Sequence, residues 1–150
     1  MRERITPDPL LGGGLEPEPG EPVLASFAPD RAAYWRSHGI MALVGGVLAG
    51  LLLVGMGNSA PWVGPVGAVL ALLARGAYLA SEVLALRWQL TDRRLILPGG
   101  RAVRLGEITA ARPFLGDVQV VTRGGDKHLI RYPADPAAVV AEIDKARAAA

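Results

Sequence analysis

The chain has 150 residues, of which 51% are hydrophobic and 20% are charged, and its formal net charge is +2. This composition is more apolar than that of a typical soluble domain of the same length. Because the sequence contains no cysteine, disulfides and thiolate chemistry are excluded.

Residues 1–20 alternate proline, glycine and charged side chains. Such a segment buries too little apolar area to offset the entropy lost on ordering, which predicts a disordered tail. The tail has no apolar stretch typical of a cleavable signal peptide, so we expect the first apolar run to direct the chain to a membrane.

Residues 21–38 lead from the tail into the apolar part of the chain. Residues 21–28 alternate weakly between apolar and polar side chains and predict one short strand. Asp30 is a typical helix N-cap residue, and we expect a helix to open over 31–38 and to continue into the membrane.

Residues 39–86 contain two long apolar runs. The first, 40–57, has the length that a helix needs to cross the hydrocarbon core of a bilayer, and the second covers about 61–80. The linker between them, 56–61, carries no charge. The sequence therefore predicts a transmembrane helical hairpin.

Small residues recur along one face of each run. They are Ala42, Gly46 and Gly50 in the first run and Gly67, Ala71 and Ala74 in the second. Such a face lets another helix approach closely. Three interpretations remain open: the two helices pack against each other, two copies of the chain share a seam, or the glycines reflect the general tolerance of membrane helices for glycine.

The distribution of charge predicts the topology of the hairpin. Arginines flank both of its outer ends, whereas the linker has none. By the positive-inside rule, we expect a multi-pass protein of the bacterial inner membrane with both termini in the cytoplasm. Five aromatic residues near the ends of the runs are expected at the level of the lipid headgroups: Tyr34, Trp35, Trp62, Tyr78 and Trp88.

Arg75 and Glu82 are the only charged residues between positions 40 and 86. Arg75 can snorkel to the inner headgroups, with Glu82 already in the wet interface. The alternative is a functional pair in an accessory subunit of a membrane transporter or enzyme. That alternative requires the two charges to be buried together.

After Trp88 the apolar residues no longer recur at helical spacing but alternate with polar residues. Predicted strands cover 94–97, 101–105, 117–123 and 127–132. The glycines at 99–100 and 124–125 predict hairpin turns, because glycine accepts positive φ. Asp135 and Pro136 predict the start of a terminal helix with an apolar stripe at Val139, Val140, Ile143 and Ala146.

We therefore expect residues 87–150 to form an antiparallel meander capped by a C-terminal helix, and an α+β fold for the membrane protein as a whole. A domain of about 60 residues is marginal by itself. Packing against the strand at 21–28 or against the membrane surface is expected to complete its core.

The order of these features carries a family resemblance. Two apolar runs are followed by WQLTDRRLIL at 88–97, a Gly-Gly turn, LGEI at 105–108, a second Gly-Gly hairpin and Asp135-Pro136 before a helix. This order resembles the bacterial pleckstrin-homology-like (PH-like) membrane proteins and, more distantly, the photosynthetic complex assembly proteins. The resemblance covers about 21–147 and implies a small β-barrel domain that follows a pair of membrane helices.

Five arginines follow the second run. They are Arg87, Arg93, Arg94, Arg101 and Arg104. Either they form a basic surface that binds anionic headgroups or an acidic partner, or they only fix the topology. In the same segment, Thr91 and Asp92 are expected to bond main-chain N–H groups in a tight bend.

Other kinds of site have little support. The two histidines, His38 and His128, are far apart in the sequence, which argues against a metal site. No two acidic residues have a spacing typical of a catalytic pair, and no serine or threonine lies in a nucleophile-elbow motif. The basic residues lack the interleaved aromatic residues of a nucleic-acid interface. We therefore predict no cofactor, no enzymatic activity and no nucleic-acid partner.

Two functions remain from the sequence. The first is a membrane-anchored PH-like interaction module that supports the assembly, stability or regulation of a membrane protein complex. Its expected partners are membrane lipids and another membrane protein, and a homo-oligomer is left open. The second is the accessory subunit with a functional Arg75 and Glu82 pair.

Overall fold

The computed structural model describes residues 15–150, which fall into two compact units. The helical unit is Pro29–Ala85, and the β unit is Leu86–Ala150 together with the described residues before Pro29. The chain thus begins the β unit, forms the helical unit and then returns. Most of the predicted disordered tail, 1–14, lies outside the described residues. Its last residues form a turn, in which the N–H of Glu21 donates to the carbonyl of Glu18 at 2.9 Å.

The helical unit consists of α1, Arg31–Gly55, and α2, Val63–Leu84. The predicted N-cap is confirmed, since the carboxylate of Asp30 accepts from the N–H of Ala33 at 2.8 Å. Both helices are long and apolar enough to cross a membrane, judged by length and composition. Only 17% and 6% of their most apolar stretches are buried inside the structure, so most of their apolar surface is left uncovered.

The two helices pack as an antiparallel pair through small residues. Ala42 and Gly46 of α1 are buried, and a Cβ placed on Gly46 would lie 3.5 Å from Pro65 of α2. Gly64 lies close to the main chain of α1, because a Cβ there would come within 2.9 Å of the main chain of Ala49. The small-residue face predicted on α1 therefore lies against α2.

The face predicted on α2 is a different one from the face in contact. Gly67 and Ala71 are exposed, and nothing lies within 4 Å of a Cβ built on Gly67. The row that lies closer to α1 is Gly64, Ala68, Leu72 and Gly76. The predicted row has spacings of four and three residues and the row in contact has spacings of four, and either spacing keeps residues on one face of a helix, so spacing alone did not distinguish the two rows. The glycines at both ends of the second row allow the closer approach.

A buried tyrosine joins the other end of the helix pair. The hydroxyl of Tyr34 donates to the carbonyl of Gly76 at 2.7 Å, and its ring lies 4.3 Å from that of His38. A Cβ at Gly76 would come within 2.9 Å of the His38 ring. Tyr34 is 1% exposed, so its ring is packed inside the protein and not on its surface, and its level relative to the lipid headgroups stays a prediction. The buried hydroxyl needs a partner, and the helix pair supplies one.

The β unit is built from seven strands within the described residues. They are β1 Val23–Phe27, β2 Trp88–Thr91, β3 Arg94–Leu97, β4 Arg101–Arg104, β5 Ile108–Phe114, β6 Asp117–Thr122 and β7 Lys127–Ile130. Sheet A contains β1, β2, β3 and β4 in that order, and sheet B contains β5, β6 and β7, all antiparallel. The terminal helix α3, Pro136–Ala149, packs mainly on β5 and β6.

One apolar core joins the two sheets and α3. Its fully buried members include Leu90 and Leu95 of sheet A, Val118 and Val120 of sheet B, and Ile143 of α3. Trp88 is also part of this core and is 3% exposed. Its ring is therefore packed inside the β unit and not on its surface, and its level relative to the headgroups also stays a prediction.

The α+β composition, the glycine turns and the capped terminal helix are confirmed. Gly99 and Gly125 both have positive φ, at 83° and 88°, in the turns that precede β4 and β7. Asp135 caps α3 by accepting from the N–H of Ala138 at 3.2 Å.

The strands differ from the single predicted meander in two ways. A 3-10 turn at Leu105–Glu107 interrupts the ladder, so the strands form two sheets. In addition, β2 and β5 were not predicted. The β5 sequence contains proline, arginine and alanine, has little intrinsic strand propensity and is mostly exposed. Pairing with β6 and packing against α3 therefore hold this strand in place.

Candidate functional site

The bend between β2 and β3 is organised by Thr91. Its hydroxyl oxygen accepts from the main-chain N–H groups of Arg93 at 3.2 Å and Arg94 at 3.0 Å. The hydroxyl also lies 2.6 Å from a carboxylate oxygen of Glu21, to which it donates. The predicted role of Thr91 in a tight bend is confirmed. The carboxylate of Asp92 lies 3.8 Å from the guanidinium of Arg93 instead of capping the bend.

Glu21 and Arg94 form a two-pronged ion pair beside this bend. The Nε of Arg94 donates to Glu21 at 3.1 Å and its Nη2 at 3.0 Å. The hydrogen bonds from Arg94, then from Thr91, then from the main chain at Glu18, lower the pKa of Glu21 from 4.5 to about 2. The same pair raises the pKa of Arg94. The carboxylate is therefore ionised at neutral pH and holds the segment before β1 to the bend between β2 and β3.

The structure places four of the predicted surface arginines in different surroundings. Arg94 is occupied by Glu21, and its side chain is only 19% exposed. Arg104 pairs opposite Arg94, whereas Arg101 pairs opposite Leu97 at the other end of β4, about 10 Å along the strand. Arg93 lies within 3.9 Å of a carboxylate oxygen of Glu18. Arg101 and Arg104 are both exposed but point to different parts of the surface.

A cleft of about 1330 Å³ opens in the β unit at the Arg101 end of β4. It lies between β4 on one side and the β6–β7 hairpin on the other. The residues that line it are Trp88, Leu97, Pro98, Arg101, Ala102, Val103, Glu107, Thr122, Arg123, Gly124, Asp126, Lys127, His128 and Leu129. Of the five predicted arginines, only Arg101 is among them.

The charged side chains of the cleft are of both signs. Arg101, Arg123 and Lys127 supply cations, and Glu107 and Asp126 supply carboxylates. Within residues 15–150 none of these five takes part in a salt bridge. Arg101, Lys127, Glu107 and Asp126 are therefore available to charged groups of a ligand, whereas the Nη2 of Arg123 also donates to the carbonyl of Gly106. The five charges together have a small positive excess.

The β6–β7 turn is held against the 3-10 turn by Arg123. Its N–H donates to the carbonyl of Glu107 at 2.7 Å, and its Nη2 lies 3.3 Å from the carbonyl of Gly106. This contact fixes one wall of the cleft. The glycines predicted the turn, but no sequence pattern indicated Arg123 or Lys127 as site residues, because the pairing with the 3-10 turn is a long-range contact.

The walls of the cleft are strand edges. Arg101, Ala102 and Val103 are consecutive in β4, and Lys127, His128 and Leu129 are consecutive in β7. Successive side chains of a strand point to opposite faces, so a cavity that touches three in a row runs along the edge. Among the residues that the structure describes, each of these strands pairs on one side only. The cleft therefore gives access to main-chain groups as well as side chains.

The remaining predicted site residues are not brought together. Arg75 and Glu82 lie two helical turns apart on α2, both are exposed, and no salt bridge joins them. Within the described part of the chain, no group of three His, Asp or Glu side chains could hold a metal ion. No protein-family model, no curated protein and no solved structure matches this chain.

Proposed function

We propose that this chain is a membrane-anchored interaction module of the bacterial inner membrane. In this proposal α1 and α2 span the bilayer as a hairpin, and the β unit binds another membrane protein or the lipid surface at the cytoplasmic face, without catalysis. Its role is to support the assembly, stability or regulation of a membrane protein complex. The observation that carries the proposal is the uncovered apolar surface of two long helices that interrupt a β unit.

The uncovered helix surface favours a bilayer. Leu43, Leu52 and Leu70 are each exposed by more than 60%, and they belong to helices with few charged residues. A soluble monomer rarely leaves an apolar surface of this extent in water. Lipid is the environment in which such side chains are stable.

The strand pairing favours a hairpin with both ends on one side. Phe27 of β1 lies opposite Trp88 of β2, so the chain segments that enter and leave the helical unit are neighbours in sheet A. A hairpin that crosses the membrane twice returns the chain to the face from which it started. The arginines at Arg31, Arg36 and Arg87 favour the cytoplasmic face.

The architecture of the β unit supports a PH-like assignment. Its described residues contain sheets of four and three antiparallel strands followed by one C-terminal helix. The first strand comes from before the hairpin, and it supplies the strand that residues 87–150 lack. In this assignment the hairpin occupies the connection between the first two strands.

The proposed topology can be tested with single cysteines, since the natural chain has none. Ser59→Cys lies in the exposed linker and Ala148→Cys in the exposed end of α3. In spheroplasts, a membrane-impermeant maleimide should label the linker cysteine at once and should label the α3 cysteine only after lysis. Equal labelling of both cysteines before lysis would refute the proposed topology. A chain that stays monodisperse in buffer without detergent would refute membrane anchorage.

The interaction role can be tested with two matched arginine variants. Arg101→Glu changes a residue of the cleft, and Arg104→Glu changes an exposed residue of the same strand outside it. Purification in mild detergent followed by mass spectrometry should recover the same membrane protein with the natural chain and with Arg104→Glu, and less of it with Arg101→Glu. Recovery of every form alone would contradict the interaction role.

A further inference from the structure

The geometry points to an extended, acidic segment of a partner protein as the occupant of the cleft, bound as an added strand between the open edges of β4 and β7. This inference rests on the proposed function and names the chemistry of the partner. It follows from four properties of the cleft: its free strand edges, its size, its charges and its apolar floor.

Within residues 15–150 the β unit has four edge strands, and two of them are protected. β1 has Pro22 before it and Pro29 after it, and its register shifts between Val23 and Ala25. β5 is covered by α3, and Arg147 of that helix donates to the carbonyl of Thr109 at 3.0 Å. Proline, bulges and covering helices are the usual ways in which proteins block an edge from further pairing.

The other two edge strands, β4 and β7, lack these protections and both border the cleft. In the described part of the chain, no main-chain group of 101–103 or 127–129 has a hydrogen bond outside its own sheet. An extended peptide forms main-chain hydrogen bonds with such an edge, and these give affinity without regard to its side chains. The cleft is therefore suited to strand addition.

The size of the cleft favours a peptide over a small molecule. Its volume of about 1330 Å³ exceeds the roughly 300–1,000 Å³ of pockets that take drug-sized ligands. β4 and β7 each have four residues, which corresponds to an edge of about 13 Å. An added strand of about four residues matches this edge.

The charges favour an acidic peptide over a phosphate group. Arg101 lies at one wall, and Arg123 and Lys127 lie at the other, so carboxylates of a bound strand can reach a cation on either side. Glu107 and Asp126 line the same cleft and would repel a ligand of concentrated negative charge. Spaced carboxylates on a peptide avoid this repulsion better than a phosphorylated headgroup does.

The floor of the cleft is apolar. Trp88, Leu97 and Val103 line it and belong to the core of the β unit. Because alternate side chains of a strand point to opposite sides, a bound strand can direct apolar side chains to this floor and acidic ones to the rim. The favoured ligand is therefore a short segment in which acidic and apolar residues alternate.

The test uses the full chain in detergent micelles and a synthetic peptide of alternating glutamate and valine. Binding is followed by fluorescence anisotropy of a dye on the peptide, and the contact is located by amide hydrogen exchange of the protein. We expect slower exchange at 101–103 and 127–129. We also expect Arg101→Glu to weaken binding on the order of tenfold and Arg104→Glu to change it by less than about twofold.

Two control peptides separate strand addition from charge attraction. A peptide with lysine in place of glutamate should bind at least about tenfold more weakly. A peptide with proline in place of valine keeps the charge but loses main-chain donors, and it should not slow exchange at either edge. Equal binding of the proline peptide would overturn strand addition, and equal binding of the lysine peptide would overturn the acidic preference.

Short-chain dihexanoyl-phosphatidylglycerol tests the headgroup alternative. If this lipid, and not the glutamate peptide, slows exchange at 101–103 and 127–129, the cleft is a headgroup site and the inference is wrong. Failure of both probes also overturns it. Such a result would leave the membrane anchorage and the co-purification experiment unaffected, so the two proposals can fail separately.

Discussion

Leu115 occupies a backbone conformation that an asparagine would adopt at lower cost. It is the first residue of the two-residue turn between β5 and β6, and it has a φ of 49°, followed by Gly116 with a φ of 89°. Turns with two positive φ values favour Asn-Gly, since a left-handed L-residue costs roughly 1–2 kcal/mol. We therefore expect Leu115→Asn to stabilise the β unit.

The magnitude follows from the exposure of the side chain. Leu115 is 92% exposed, so less than a tenth of its apolar area is buried. Loss of that buried area on substitution costs at most about 0.3 kcal/mol. Relief of the backbone strain is the larger effect, and the net gain should be about 1 kcal/mol. For a unit of this size, such a gain corresponds to a rise in Tm of roughly 4–8 °C.

The assay is thermal unfolding of the full chain in micelles, with amide exchange of β6 reporting on the β unit. Leu115→Ala is the matched control, because it removes the exposed side chain and keeps a left-handed residue with a Cβ. It should leave the Tm within about 1–2 °C. If Leu115→Asn were no more stable than Leu115→Ala, relief of backbone strain could not be the cause.

Three further changes test the packing and the electrostatics. Ile143→Ala empties a fully buried position in the core and should lower the free energy of unfolding of the β unit by about 2–5 kcal/mol, measured by urea titration. Gly64→Ala places a methyl group 2.9 Å from the main chain of α1 and should lower the aggregation temperature in detergent, whereas Gly67→Ala, with open space around it, should not. The pKa of Glu21 is lowered to about 2 in the folded chain, so on acidification the unfolded chain binds the proton first. The stability that the pair with Arg94 contributes should therefore be complete above pH 4.5 and should disappear as the pH falls towards 2. Glu21→Gln should remove that pH dependence, and an unchanged profile would mean that another group titrates.

Local signals predicted much of the fold. The cap at Asp30, the glycine turns before β4 and β7 and the cap at Asp135 each depend on a few adjacent residues. The lengths of the apolar runs likewise follow from the sequence alone, because apolar side chains recur through each helix. Where a structural feature is decided within one helical turn or one hairpin, the sequence pattern was sufficient.

Long-range contacts account for what could not be predicted. Glu21 and Arg94 are 73 positions apart, so nothing near either residue indicates that they form an ion pair. The cleft is formed by β4 and the β6–β7 hairpin, which belong to different sheets, and its cations come from both. Predicting it required knowledge of which strands lie at the sheet edges. Small residues recur at helical spacing on two faces of α2, and only the packing distinguished these faces.

The position of the helices between β1 and β2 has a consequence for synthesis of the chain. The ribosome releases β1 early, but its partner strand emerges only after both helices, since Phe27 pairs with Trp88. During that interval β1 lacks the strand with which it pairs. If α1 and α2 span a membrane as proposed, sheet A can be completed only when both ends of the hairpin lie on the same side. A chain with its two ends on opposite sides would keep Glu21 from Arg94, so formation of this ion pair would report on the proposed hairpin topology.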